Sequence, residues 1–370
     1  MLVYVLSKLQ ETNIMESKKR VTIKDIANHL GVSYGIINKA INNKSGISEA
    51  MKKKILDAAD ELGYKVNKVA QCMARSTIVI GVVIPTNPPE QYSVAKKAID
   101  KEFERLMDYN VRAIYYKVKN VNSVREIGLA FKKCVKDNVH GIVMYAVPPF
   151  GMDQVLNELE GTDIKVTIIG HPSLDSEKII CSVHTDAYRS GQIAAHMMAL
   201  MAPLESNIIV FVSNKNDPEH RLKVEGFISV SEKFRMHVKH INVVGVFETL
   251  DSYDIMNQIL KNSNSLNEHI RGIYCTTSNL IAACEYIRDK GEDIKIVGSD
   301  INHHSVEFIK NRILDCVIYQ DTKELVTTAI KAMYEYLAEH KEPSKAIEIC
   351  PQIVISSNID GIYKEDIEED

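Results

Sequence analysis

Between residues 34 and 42 the chain sets Tyr34, Gly35, Ile36, Asn38, Lys39 and Asn42 on one side of a helical repeat, with Ile37, Ala40 and Ile41 on the other. Polar groups arrayed in this way can reach phosphates and base edges in the major groove of DNA. Ile36 suits either a thymine methyl or ordinary packing. A small helical domain binding something other than DNA would show the same alternation, so the surrounding elements carry the decision.

Those elements are three short helices. Thr22 caps the first, with Asp25 as reciprocal partner in a capping box, and Ile23, Ile26, Ala27 and Leu30 repeat at the helical period until Gly31 offers a left-handed exit. Ser33 caps the second after a tight turn. The third starts at Ser48, turns Met51, Ile55, Ala58, Ala59 and Leu62 inward and stops at Gly63. Helix, tight turn, helix is a DNA-reading arrangement.

Charge divides the chain near the same place. Residues 15–77 hold 12 lysines and arginines against 6 carboxylates, residues 78–370 hold 32 against 42, and the chain of 370 residues has a net charge of −4. A basic end on an acidic body suits a DNA-binding module tethered to a body that does not bind DNA. Seven cysteines (Cys72, Cys134, Cys181, Cys275, Cys284, Cys316, Cys350) are scattered without paired spacing, which suits a reducing cytoplasm and not a disulfide framework or zinc site. Residues 1–20 have neither the basic start nor the small-residue cleavage site of an export signal, and Met15 is an equally good start. They are expected to be a disordered or mis-annotated extension.

The segment from Val21 resembles the headpiece of the lactose-repressor (LacI-type) family of bacterial transcription regulators. The resemblance rests on VTIKDIA, on GVS followed by a helix ending in Asn42, on ELGY at Glu61 to Tyr64 and on NKVAQCMA at Asn67 to Ala74. It implies that Tyr34, Gly35 and Lys39 stand where the family reads base edges, and that Asn67 to Ala74 forms a hinge helix whose Met73 enters the minor groove. With the caps Thr22 and Ser33, with Ile36, Asn38 and Asn42, and with Asn67, these make up the candidate DNA-binding set. Gly35 and Lys39 depart from the family pattern, the first lacking a side chain and the second replacing a planar guanidinium by a single ammonium. The DNA sequence read is therefore expected to be the protein's own.

After Thr77 the pattern becomes strands alternating with helices. Apolar runs at Val79 to Ile84, Val111 to Tyr115, Gly141 to Tyr145 and Val166 to Ile169 form one set, and Ile208 to Val212, Val243 to Phe247, Gly272 to Cys275 and Lys295 to Val297 form a second. Two doubly wound parallel sheets follow from this. The pair resembles the type I periplasmic-binding-protein fold. The expected organisation is a headpiece at 21–66, a hinge at 67–77, an effector-binding and dimerisation domain at 78–358 and an acidic tail at 359–370. Lobe 1 is expected at 78–183 and 318–342, lobe 2 at 184–317 and 343–358.

The ligand is expected between the lobes, at the carboxyl ends of the strands. The resemblance implies that Asp300, in the run GSD, accepts bonds from ligand hydroxyls, and that either Arg221 or Lys223, just before Gly226 and Phe227, is the ligand-binding cation. Asn279, Gln320 and Asp186 are weaker carry-overs, Asp186 having a fold-supporting role as its simpler reading. Tyr92 and Phe150 offer ring faces, the chain having no tryptophan. Such residues suit a polyhydroxylated ligand, with a purine as the alternative.

Enzyme signals are weak. No GxGxxG or GxxxxGK[ST] occurs. His237 and His240 lack a third metal ligand, and His303 and His304 fit a helix start better than a catalytic pair. The expectation is a cytoplasmic, dimeric or tetrameric DNA-binding regulator, most simply a repressor, that binds a near-palindromic operator under the control of a sugar-like effector, with no metal or cofactor. The alternative is a sugar-binding protein or α/β enzyme without a regulatory role.

Overall fold

A computed structural model describes residues 21–41, 45–64, 76–86, 89–119, 123–145, 151–172, 175–212, 217–242, 252–265, 269–276 and 280–363. The chain divides into two compact units, Met1–Arg75 and Ser76–Asp370.

In the first unit α1 (Ile23–Leu30), α2 (Tyr34–Ile41) and α3 (Glu49–Glu61) enclose Ile26, Ile37 and Ile55, all fully buried. The capping box is formed. Thr22 N and Oγ1 each donate to Asp25 Oδ2 at 2.7 Å, and Asp25 N donates to Thr22 Oγ1 at 3.4 Å. These bonds satisfy donors that a first helical turn leaves open. Gly31 ends α1 at φ 67°, where a Cβ is disfavoured. Ser48 caps α3 by accepting from Met51 N at 3.3 Å.

The second unit begins with β1 (Ile78–Pro85), α4 (Pro89–Met107), β2 (Val111–Val118), α5 (Val124–Lys136), β3 (Gly141–Tyr145), the short α6 (Met152–Leu156), β4 (Lys165–Ile169) and β5 (Ile179–Thr185). It continues through α7 (Ala187–Met201), β6 (Asn207–Val212), α8 (Pro218–Ser231), β7 (His237–Asn242), α9 (Ser252–Ser265), β8 (Ile270–Cys275), α10 (Ile281–Lys290), β9 (Lys295–Ser299), α11 (His303–Lys310) and β10 (Cys316–Tyr319). Last come α12 (Thr322–Glu339), β11 (Ala346–Ile349), β12 (Gln352–Val354) and α13 (Ile359–Ile362).

The described strands make two six-stranded sheets, ordered β11-β5-β4-β3-β1-β2 and β12-β10-β9-β8-β6-β7. In each, the first strand of the lobe lies between its second and third, so the winding direction reverses there. All pairings are parallel except β10 with β12. Parallel strands covered on both faces read as continuous apolar runs, and β1 shows why. Ile80, Val82 and Ile84 pack with residues of α4 and α12, whereas Val83 on the other face packs with residues of α5 and α6. In the second lobe Ile209 and Phe211 pack with residues of α10 and α11, and Ile208 and Val210 with residues of α7 and α8.

The chain passes between the sheets at residues 185–187, 320–321 and 350–351. The third passage corrects the expected boundary at 343. β11 stays in the first lobe, paired with β5 from Ala346 opposite Ser182 to Ile349 opposite Thr185. Only beyond Cys350 and Pro351 does β12 reach β10. β5 itself was not foreseen as a strand, because Ser182, His184 and Thr185 interrupt its apolar pattern although all are buried. Residues 359–363 are likewise not tail: Ile359 is fully buried in the second-lobe core, and Ile362 and Tyr363 pack against it. The strand expected at Val243 to Phe247 lies outside the described residues, and the strand paired with β6 is His237–Asn242. Among the described residues no helix is long and apolar enough to cross a membrane.

Candidate functional site

Where the winding of an open α/β sheet reverses, the connections leave in opposite directions and open a crevice at the carboxyl ends of the strands. In the second lobe this point lies between β6 and β8. α8 is the next described element after β6, Thr276 follows β8, Asp300 follows β9 and Gln320 follows β10. Four connections thus deliver polar groups to one place.

The depth of α8 is set by its crossing with α7. A Cβ added to Gly191 would stand 1.9 Å from Lys223 O, and one added to Gly226 would stand 2.0 Å from Tyr188 O, so only hydrogen fits at either position. One turn of α8 is therefore held backbone to backbone. Phe227 then stacks on Tyr274 with centroids 5.0 Å apart and planes inclined by 12°. Asp217 caps the helix, accepting from Glu219 N at 2.8 Å, with Pro218 at its first position.

The first turns of α8 carry the charges. Lys223 Nζ lies 2.7 Å from Glu219 Oε1 and donates to Thr276 O at 3.4 Å. Glu219 Oε1 also accepts from Gln320 Nε2 at 2.9 Å, and His220 Nδ1 is 2.9 Å from Thr276 Oγ1. Gln320 N donates to Asp300 Oδ1 at 3.4 Å. Asp300 adopts φ 63°, a left-handed conformation that aspartate tolerates better than most side chains. Its own N donates to Ile318 O at 3.1 Å, which pins the turn.

These groups tune one another. Burial by itself raises a carboxyl pKa, yet the Lys223 ammonium and its hydrogen bond hold Glu219 down at about 2. Burial disfavours the charged Lys223, but the Glu219 and Asp300 carboxylates outweigh it and raise the ammonium above its usual range. Asp300 moves up, through burial first and Glu219 second, against the pull of Lys223. His220 moves down, through burial and the neighbouring ammonium. From the first lobe Tyr145, bonded to Thr322, is pushed up to about 12 by burial, with Asp300 adding to the rise.

Of the expected ligand residues, Lys223, Asp300 and Gln320 come together. Arg221 does not. Its side chain is 62% exposed and pairs with Glu225 Oε1 at 3.6 Å, because two residues along a helix turn a side chain to the far face. Asp186 caps α7, accepting from Arg189 N at 2.9 Å. Tyr92 packs against the first-lobe core with Lys117 Nζ 5.4 Å from its ring centroid, and its buried hydroxyl has no hydrogen-bond partner among the described residues. His303 and His304, ring centroids 3.6 Å apart, are exposed at the start of α11 behind its cap Asn302. His237 and His240 lie on β7. Phe150 and Asn279 lie outside the described residues. Sequence reasoning missed Glu219, His220 and Tyr145. The i, i+1, i+4 spacing of Glu219, His220 and Lys223 behind a Pro at a helix start was the available signal.

In the N-terminal unit Tyr34 is 58% exposed, Gly35 and Lys39 are exposed, and Asn38 is half-buried. Ile36 packs against the three-helix core, which accounts for it without a base contact. Thr22 is engaged in its capping box, and Ser33 O accepts from Ile36 N at 3.0 Å. Asn42, Asn67 and Met73 lie outside the described residues.

The chain matches the periplasmic binding protein domain family over residues 34–342. It is 24% identical over 345 residues to the HTH-type transcriptional repressor PurR of Pasteurella multocida (strain Pm70), covering 91% of this chain and 98% of that protein. To the HTH-type transcriptional regulator RegA of Clostridium saccharobutylicum it is 22% identical over 337 residues, covering 88% and 96%. Among solved structures, the sugar-binding protein of a sugar ABC transporter from Bacillus halodurans matches with a TM-score of 0.68 at 18% identity, covering 77% of this chain and 100% of that one. That last likeness speaks for the fold alone. The twin reversed sheets are the type I periplasmic-binding-protein fold, and the similarity to HTH-type transcriptional regulators runs along nearly their whole length and extends past it; the protein belongs to the periplasmic binding protein domain family.

Proposed function

We propose that this protein is a cytoplasmic, dimeric transcription regulator, a repressor in its simplest form, whose N-terminal helices read a near-palindromic operator and whose interlobe cleft takes a small polyhydroxylated effector without transforming it. The observation that carries the reading is the presence in one chain of two separate chemistries. Tyr34 and Lys39 stand exposed on a helix that follows a tight turn, while Lys223, Asp300 and Gln320 meet at a sheet crevice. The segment Asn67 to Ala74 enters the proposal from its sequence alone. Helices that short are marginal in isolation, so pairing across a dimer on DNA would form it and set Met73 in the minor groove. Effector binding would then act by population shift, through different affinities for two arrangements of the lobes.

Fluorescence anisotropy tests this with DNA from upstream of the protein's own gene against random DNA of equal length, with and without a panel of pentoses and hexoses. One sugar should shift specific binding and be recovered unchanged. Asp300→Ala should remove the shift and leave basal binding intact, and Lys39→Ala should weaken specific binding more than random binding. A protein that prefers no DNA fragment, or that turns the sugar over, would overturn the reading.

A further inference from the structure

Of Arg221 and Lys223, between which the family resemblance leaves the ligand-binding cation, Lys223 is the one in the crevice, yet its ammonium is already engaged. Its side chain is 3% exposed, whereas that of Glu219, 2.7 Å away, is 30% exposed. The carboxylate therefore lies on the solvent side of the cation. Two further contacts fix it there: Gln320 Nε2 donates to the same Oε1, and the N-terminal end of α8 favours a negative charge in its first turn.

The groups left over have one polarity. Glu219 uses Oε1 for both bonds, and Oε2 has no hydrogen-bond partner among the described residues. Asp300 uses Oδ1 for Gln320 N, and Oδ2 has none among them. Among the described residues two carboxylates face a single ammonium, so this cluster is negative overall in a poorly solvated place. Among the described residues an anionic ligand would meet this charge without an available cation, whereas hydroxyl or ammonium donors would meet acceptors.

We infer that Glu219 determines the specificity of the cleft: by covering and neutralising Lys223 it closes the site to phosphorylated and other anionic ligands, and it leaves acceptors for a ligand that donates hydrogen bonds and carries no negative charge. This rests on the reading of the cleft as the effector site.

Titration calorimetry with wild type and Glu219→Gln tests it, using inorganic phosphate, a panel of neutral pentoses and hexoses, amino sugars, and the phosphorylated forms of those sugars. Wild type should bind a neutral or amino sugar at least tenfold more tightly than its phosphorylated form and show no heat with phosphate. Glu219→Gln keeps the shape and removes the charge; it should gain phosphate and phosphosugar binding by tenfold or more, and a further Lys223→Met change should abolish the gain. Wild type binding a phosphosugar as tightly as the neutral sugar overturns the inference, as does a folded Glu219→Gln that gains nothing. If no sugar binds wild type but Glu219→Gln gains phosphate, the masking stands and the effector-site reading falls; a neutral sugar bound with no gain in the variant gives the reverse. Should Glu219→Gln fail to fold, the wild-type comparison of neutral with phosphorylated sugars decides.

Discussion

The two lobes repeat one strand order, and the helix that follows the first strand of each carries a lysine and a carboxylate four residues apart. On α4 the pair is Lys96 and Asp100, with side chains 35% and 39% exposed. On α8 it is Glu219 and Lys223, at 30% and 3%. The first pair looks across to the edge strand, where Tyr115 donates to Asp100 at 2.5 Å. The second turns into the crevice and meets Thr276, Gln320 and, through its field, Asp300 and Tyr145. Equal topology and equal spacing thus produce a solvated brace in one lobe and a buried charge cluster in the other. The difference comes from α7, whose glycine contact with α8 draws that helix against its neighbour, and from the polar ends of β8, β9 and β10.

The largest effect should come from breaking the buried pair. Lys223→Met leaves Glu219 without its cation and should cost about 3 kcal/mol of stability, whereas Lys96→Met should cost below about 1 kcal/mol, since solvated pairs contribute little. Urea unfolding of the two variants compares them directly, and equal losses would remove the distinction between the lobes. Next comes the helix crossing. Gly226→Ala places a methyl against Tyr188 O and should cost about 2 kcal/mol by forcing the helices apart. It should also weaken effector binding, because Lys223 and Glu219 move with α8. Unchanged binding in the destabilised variant would mean that the crossing supports the fold alone.

The smallest effect is a pH dependence in which two carboxyls of the same cleft have opposite signs. Glu219, held at about 2 in the folded protein, stabilises the fold at pH values above its ordinary unfolded range, and this contribution fades as pH falls towards 2. Asp300 is raised on folding, so its ionisation opposes folding once pH exceeds the unfolded value. Asp300→Asn should therefore stabilise the ligand-free protein slightly at neutral pH and Glu219→Gln should destabilise it. An effector donating to Asp300 favours its charged form, so effector affinity should rise with pH through the Asp300 titration and binding should release protons. Calorimetry in buffers of different ionisation enthalpy measures that release, and proton uptake or a flat profile would place the effector away from Asp300.

Legibility in the sequence varied with the range of the interaction involved. The capping box of Thr22 and Asp25, the stop at Gly31 and the apolar runs of β1 and β3 depend on neighbours a few residues away, and the spacing of residue types displayed them directly. β5 stayed hidden because its buried Ser182 is satisfied by His171 O, a partner outside the strand. β11 belongs to the first lobe and not the expected second, a placement hidden from the sequence because a four-residue edge strand has no local feature naming its neighbour. The choice between Arg221 and Lys223 stayed open because both are basic, and only the rotational phase of α8 separates them.

By its own pattern the sequence determined that this chain has a basic three-helix end and a body of alternating strands and helices, since each depends on periodicity, capping or charge counted along the chain. Only the tertiary structure decided that Glu219 covers Lys223, that Arg221 faces solvent and that Gln320 reaches Glu219 across the crevice. Those facts rest on contacts between residues far apart in the chain, and on burial that turns an ordinary helical salt bridge into a determinant of what the cleft accepts.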